Sequence, residues 1–141
     1  MASVKATNIT NLDASPSVLA NAGDVHGSVR VFKDTYEASS LASGSDITIA
    51  RLPKGARVVD IHLKADALGG SVTLAVGDSA TADRYISATV MNTADKQISL
   101  SSDGAIASIG YEIGDVTDIL VTTGGATASG TITSVVYYTV S

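Results

Sequence analysis

The chain has 141 residues and no cysteine, which excludes disulfides, thiolate metal sites and cysteine nucleophiles and frees the fold from any need for an oxidising compartment. Nine Lys and Arg against fourteen Asp and Glu leave a net charge of −5, and no basic cluster could neutralise a run of phosphates, so nucleic-acid binding is not expected. The opening MASVKATNIT has no apolar core of signal-peptide length and no long apolar run follows, so neither a secretory leader nor a membrane span is expected, and the composition suits synthesis in a cytoplasm. Charged residues are only 16% of the chain, against the ~25% of average globular proteins. Such a surface either meets other protein or is a Ser/Thr-rich β surface that is simply polar.

Residues 1–26 lack sustained periodicity and read as an N-terminal arm, with 27–141 as one domain. Ser15-Pro16 could cap a single helical turn ending before Gly23, Ser suiting the N-cap and Pro the first helical position. The arm either frays or extends against a neighbouring subunit. Residues 27–37 form the first strand candidate, with Val29 and Val31 on one face and Phe32 and Tyr36 on the other, a change of face that a bulge would allow. A Ser/Gly loop at 39–45 leads to a strand at 46–52.

The register of the domain is set next. Leu52-Pro53-Lys54-Gly55 reads as a type I turn, with Pro at its second position and Gly at its fourth. Beyond it Val59, Ile61, Leu63 and Ala65 alternate with Asp60, His62, Lys64 and Asp66, so one face is core and the other meets water. A slip of one residue would expose four apolar side chains and bury two aspartates and a lysine. Residues 71–76 alternate again, with Val72, Leu74 and Val76 inward, and 84–90 answers them as an antiparallel hairpin across the loop 77–83.

Residues 92–97 are polar and read as a loop; Ile98 and Leu100 alternate before a turn at 101–104, and Ile106, Ile109, Tyr111 and Ile113 fit neither period. Strands at 118–123 and 131–140 flank GGATASG as a second hairpin. The last strand is apolar on both faces: Ile132, Val136, Tyr138 and Val140 share one, while Val135 and Tyr137 lie on the other. That second face is covered either by the chain itself or by another subunit, which makes Val135 and Tyr137 candidate interface residues. About eight strands with Gly-marked turns and no helical pattern give an all-β fold, a single antiparallel β-sandwich of jelly-roll type.

Catalytic, cofactor and metal residues are not expected. The carboxylates are scattered through turns; Asp78 and Asp83 share a loop, but the regular oxygen-ligand spacing of a calcium loop is absent, and they read as turn-forming aspartates. His26 and His62 have no grouped partners for zinc, and His62 reads as a solvated surface residue. No nucleophile elbow, phosphate loop or dinucleotide fingerprint occurs. With no Trp and one Phe, the aromatic platforms usual in sugar-binding modules are missing.

The succession LPKGARVVDIHLKADALGGSVTLAVGDSATADRYISAT, from 52 to 89, followed by GYEIGDVTDILVTTGGATASGTITSVVYYTV, resembles small virion proteins of tailed bacteriophages, among them capsid decoration or cement proteins. The likeness spans about residues 27 to 140 and rests on structural motifs rather than catalytic ones. It implies a non-enzymatic sandwich, a homotrimer on the outer surface of a capsid lattice, with the major capsid protein as partner and the virion as location. On that reading Lys5, Asn8, Ile9 and Leu12 are candidate capsid contacts of the arm. A tail or head-fibre module binding host surface glycans is the alternative.

Overall fold

The computed structural model describes residues 4–5, 10, 13–18 and 27–140. Within residues 27–140, nine strands and two short helical turns follow one another: β1 Arg30–Leu41, β2 Asp46–Leu52, β3 Ala56–Ala65, β4 Thr73–Gly77, β5 Ile86–Val90, β6 Lys96–Ser99, α1 Leu100–Asp103, a 3-10 turn Ile106–Ser108, β7 Tyr111–Glu112, β8 Thr117–Gly124 and β9 Ala128–Val140. All pairings are antiparallel. One sheet, A, has the order β1-β9-β3-β6 with β7 also on β3, and the other, B, has β2-β8-β4-β5. Setting the two-residue β7 aside, consecutive strands alternate between the two layers except at β4 and β5, which share one, and this is the double Greek key of a jelly roll.

The core lies between the layers. Leu52, Val58, Ile61, Leu63, Val72, Leu74, Val76, Ile119, Val121 and Val136 are fully buried, each adding about 1.5–3 kcal/mol over an exposed side chain. The alternation in β3 places Ile61, Leu63 and Ala65 in this core as expected. Val59 is a correction: it is 37% exposed and Val58 is buried instead. β9 pairs Tyr138 with Val58 and Tyr137 with Asp60, so Val59 is the extra residue of a β-bulge. The turn before β3 is likewise shifted by one residue. Ala56 N–H donates to Pro53 O at 3.2 Å, which puts Gly55 third with φ of +86°, a value a side chain would resist.

Three further expectations change. β1 runs on to Leu41, leaving only residues 42–45 as the turn, and its pairing with β9 is unbroken from Arg30 to Ala38; its apolar residues face both ways because it is an edge strand, not because it bulges midway. Leu100 begins a helical turn rather than extending a strand, capped by Ser99, whose hydroxyl accepts from Ser102 N–H. β8 and β9 are not a hairpin: they belong to different sheets, and residues 125–127 carry the chain across the sandwich. Of the helical turn expected after Ser15-Pro16, a cis peptide, residues 17 and 18 have irregular backbone, and the remainder lies outside the described residues.

The connections gather at two ends. One holds the turn at 53–56, the loop at 78–83 and the segment 104–116; the other holds 42–45, 66–72, 91–95 and 125–127. They are called the Pro53 end and the Gly125 end below.

Candidate interaction surface

The register fixes what the outer face of sheet A presents. Partnered residues of neighbouring strands share a face, so Val31, Tyr137 and Asp60 form one row, Lys33, Val135, His62 and Ser99 the next, and Thr35, Thr133, Lys64 and Gln97 a third. Val135 and Tyr137 therefore do point outward, half-buried by their sheet neighbours, with Val31 54% exposed beside them. The His62 ring meets that of Tyr137 edge-on, centroids 5.4 Å apart.

His62 is not a free surface residue. The Gln97 amide nitrogen lies 3.0 Å from Nδ1 and donates to it, which leaves the imidazole proton on Nε2, 2.8 Å from Asp60 Oδ2. Ser101 hydroxyl donates to the same Asp60 oxygen at 3.0 Å and its N–H to Oδ1 at 3.1 Å. Burial alone would raise the Asp60 carboxyl; the hydrogen bonds from His62, Ser101 and Ile61 outweigh it and hold the group below the ordinary carboxylate value. Ser, His and Asp thus meet, but the serine bonds to the carboxylate and not to the imidazole, which is not the order of a Ser-His-Asp triad. What the cluster does is clamp α1 onto β3.

A second network stands at the Pro53 end. Asp78 Oδ1 accepts the N–H groups of Ala80 and Thr81, the turn-forming role expected of it, and Oδ2 accepts Arg84 Nε at 2.7 Å. Burial would raise this carboxyl too, and the bonds from Arg84, Thr81 and Ala80 lower it. Arg84 lies over the Tyr111 ring, 4.5 Å from its centroid, and Tyr111 meets the buried Tyr85 edge-on. Burial pushes the Tyr85 phenol up, and its hydroxyl has no hydrogen-bond partner among the described residues. On top of this network, residues 105–110 are tied down by Ala105 N–H to Tyr85 O, Gly110 N–H to Val58 O and Ser108 hydroxyl to Arg84 O. Ile106 and Ile109 are nevertheless 86% and 44% exposed.

Elsewhere, a slot of about 70 Å³ opens between the edge strands β1 and β2, with Ile47, Ile49 and Ile132 as its floor and Asp34 at its mouth. No three His, Cys, Asp or Glu side chains among the described residues are grouped to hold a metal ion. Lys5 is ion-paired with Asp13, both exposed; Asn8, Ile9, Leu12 and His26 lie outside the described residues. Sequence reasoning missed the Ile106–Ile109 pair as a surface feature, although their failure to fit either period was the signal.

No protein-family model and no curated protein matches the chain. Solved structures do share its fold. A chain of the cyanophage Pam1 capsid asymmetric unit is 24% identical with a TM-score of 0.68, over 92% of this chain and 97% of that one. A chain of the Ralstonia phage GP4 capsid is 21% identical, TM-score 0.58, over 82% and 84%. A chain of the acid-stable capsid of Helicobacter pylori bacteriophage KHP30 is 17% identical, TM-score 0.59, over 81% and 90%.

Proposed function

We propose that this protein is a structural component of a bacteriophage virion, a non-catalytic decoration or cement protein that binds the outside of the capsid lattice and stabilises it. The observation that carries the reading is the fold shared along almost its whole length with a chain of a phage capsid. The physical character agrees. A cysteine-free sandwich of net charge −5 folds in a bacterial cytoplasm, and it suits an outer position better than contact with packaged DNA. Many weak contacts suffice when a lattice multiplies them.

In this reading the chain is a homotrimer, its subunits meeting over the outward face that carries Val135 and Tyr137, and residues 1–26 tie it to the major capsid protein through Lys5, Asn8, Ile9 and Leu12. The decisive experiment adds the purified chain to capsids of the parent phage assembled without it and follows co-sedimentation to saturation. The expected result is saturation at a copy number set by the lattice symmetry, with capsids then surviving more heat; binding at a few sites or none would overturn the reading. Val135→Asp with Tyr137→Ser should give soluble monomers, and an unchanged sedimentation coefficient would move the subunit interface elsewhere. Deleting residues 2–22 should weaken capsid binding and leave the domain's unfolding curve unchanged.

A further inference from the structure

Parity and exposure disagree along one edge of the sandwich. Asp34 pairs with Ser134, Ser134 with Leu63 and Leu63 with Ile98, so the four share the face of sheet A that looks into the core. Ser134, Leu63 and Ile98 are buried, whereas Asp34 is exposed. Tyr36, in the next row with the buried Ile132 and Ala65, is 39% exposed as well. Topology is the cause: β1 and β2 are edge strands of their sheets, and between them opens the slot floored by Ile47, Ile49 and Ile132. An apolar side chain at position 34 would close that slot and gain the stability of burial, so the carboxylate there needs a reason.

The slot suits an extended segment that brings one side chain. Both of its walls are strands with a free edge among the described residues. To such an edge an extended chain adds by main-chain hydrogen bonds, while its alternate side chains enter pockets. A volume of about 70 Å³ is about five times what one water needs, enough for a side chain.

The lining specifies that side chain. The floor is apolar, and Asp34 is the single charged residue among the described ones that line the slot. Its Oδ1 accepts the Thr35 N–H at 2.8 Å; its Oδ2 has no partner and the group no ion pair among the described residues. Of the neighbouring charges, Lys33 and Glu37 alternate to the outer face of sheet A, and Asp46 accepts from the Thr122 hydroxyl. Arg30 shares the face of Asp34 but stands four residues along the strand, about 13 Å away. An aliphatic stem ending in a cation matches both floor and mouth, and one free oxygen suits the point charge of a lysine better than the fork of an arginine. The chain's own lysines are placed otherwise. Lys33 and Lys64 stand on the outer face of sheet A, Lys54 lies in the tight turn at 53–56, Lys96 donates to Val90 O, and Lys5 is paired with Asp13.

We propose that this slot docks an extended, lysine-bearing segment of a different protein, the stem lying over Ile47, Ile49 and Ile132 and the ammonium on Asp34 Oδ2. This rests on the reading above, and it gives the chain a second contact with its capsid partner besides the arm.

The test uses the full chain and the capsids that lack it. Asp34→Lys should lower affinity at least tenfold, because it sets like charges together in the slot. Asp34→Asn should lower it a few-fold and flatten its salt dependence. Glu37→Lys, the same change of charge on the outer face of the same strand, should bind as the parent does. Both positions are exposed, and matching thermal unfolding curves would show that the variants fold. In the parent complex a carbodiimide should couple Asp34 to a lysine of the capsid protein, identified from the mass of the linked peptides. If Asp34→Lys binds as the parent does, or no worse than Glu37→Lys, the docking site is elsewhere while the decoration reading stands. If Asp34 is instead coupled to a lysine of this chain, the occupant is the arm or a second copy and the proposal fails. If the folded parent does not bind capsids at all, the decoration reading falls and this proposal with it.

Discussion

The two ends of the sandwich are closed by different chemistry. At the Gly125 end the main chain does most of it: Gly44 N–H bonds to Thr123 O, Thr123 N–H to Ser45 O, Ser129 N–H to Leu68 O, and the Thr123 hydroxyl donates to Ala42 O. Gly125 passes so near Ser71 that no side chain would fit between them. At the Pro53 end main-chain bonds such as Gly55 N–H to Ile113 O and Ile113 N–H to Ala56 O are joined by a side-chain network, Asp78 on Arg84, Arg84 on Tyr111, and Tyr111 on Tyr85. An end sealed by backbone fixes the shape and presents little. An end where side chains add to the main-chain bonds holds a loop in place with exposed isoleucines above it.

That contrast can be broken at either end. The largest effect is expected at Gly125, where φ is +80° and an added Cβ would lie 1.9 Å from Ser71 O. Gly125→Ala should cost about 3 kcal/mol or more from strain and overpacking together. Gly70→Ala, directly before Ser71 but with nothing within 4 Å of the added carbon, should change urea stability by no more than about 0.5 kcal/mol. Equal effects at the two sites would mean that the Gly125 end is not closed by backbone contact.

At the Pro53 end the matching change is Asp78→Ala. It removes the acceptor of two N–H groups and leaves Arg84 without its carboxylate, for an expected loss of about 3 kcal/mol in urea unfolding. The pH dependence carries the same information. Asp78 and Asp60 are held below the ordinary carboxylate value, so in acid the unfolded chain binds more protons than the folded one. Their stabilisation is complete above about pH 4, near the unfolded value, and is lost as pH falls through the lower folded values. Asp78→Asn should shrink that loss; a pH profile identical to the parent's would remove Asp78 from the account.

Much of this was legible in the chain and some could not have been. The alternation of Ile61, Leu63 and Ala65 and of Val72, Leu74 and Val76 gave the core faces, because burial of a strand face is a local pattern. Val59 misled because a bulge is a property of a pair, set here by Tyr137 and Tyr138 nearly 80 residues on. The Gly-rich run between β8 and β9 looks like a hairpin loop, yet which sheet a strand joins is decided by long-range partners, β2 and β4 for one and β1 and β3 for the other. His62 looked solvated because Gln97 and Ser101, which enclose it with Asp60, come from a distant part of the chain. The outward direction of Val135 and Tyr137 followed from parity alone.

Smaller effects sharpen the description of the Pro53 end. Tyr85 is fully buried, and its hydroxyl lacks a partner among the described residues. Tyr85→Phe should therefore raise stability, by about 1 kcal/mol, since it removes an unmatched polar group and keeps the ring against Tyr111. A loss of similar size would show that the hydroxyl is bonded in solution and that the network at this end is larger than described.

The smallest effect is expected from Arg51 and Asp118, whose two hydrogen bonds, at 2.6 and 3.1 Å, lie on the outer face of sheet B beside Val116. Both side chains reach solvent, so a double-mutant cycle with alanine should give only a small coupling that fades with added salt. The network around Asp78 differs in burial rather than in bond length, and burial is what should separate the two. A coupling as large as that of Asp78 with Arg84, unchanged by salt, would mean that surface pairs stiffen the Pro53 end as much as buried ones do, and its rigidity would then belong to the whole rim rather than to the Asp78–Arg84–Tyr111 stack.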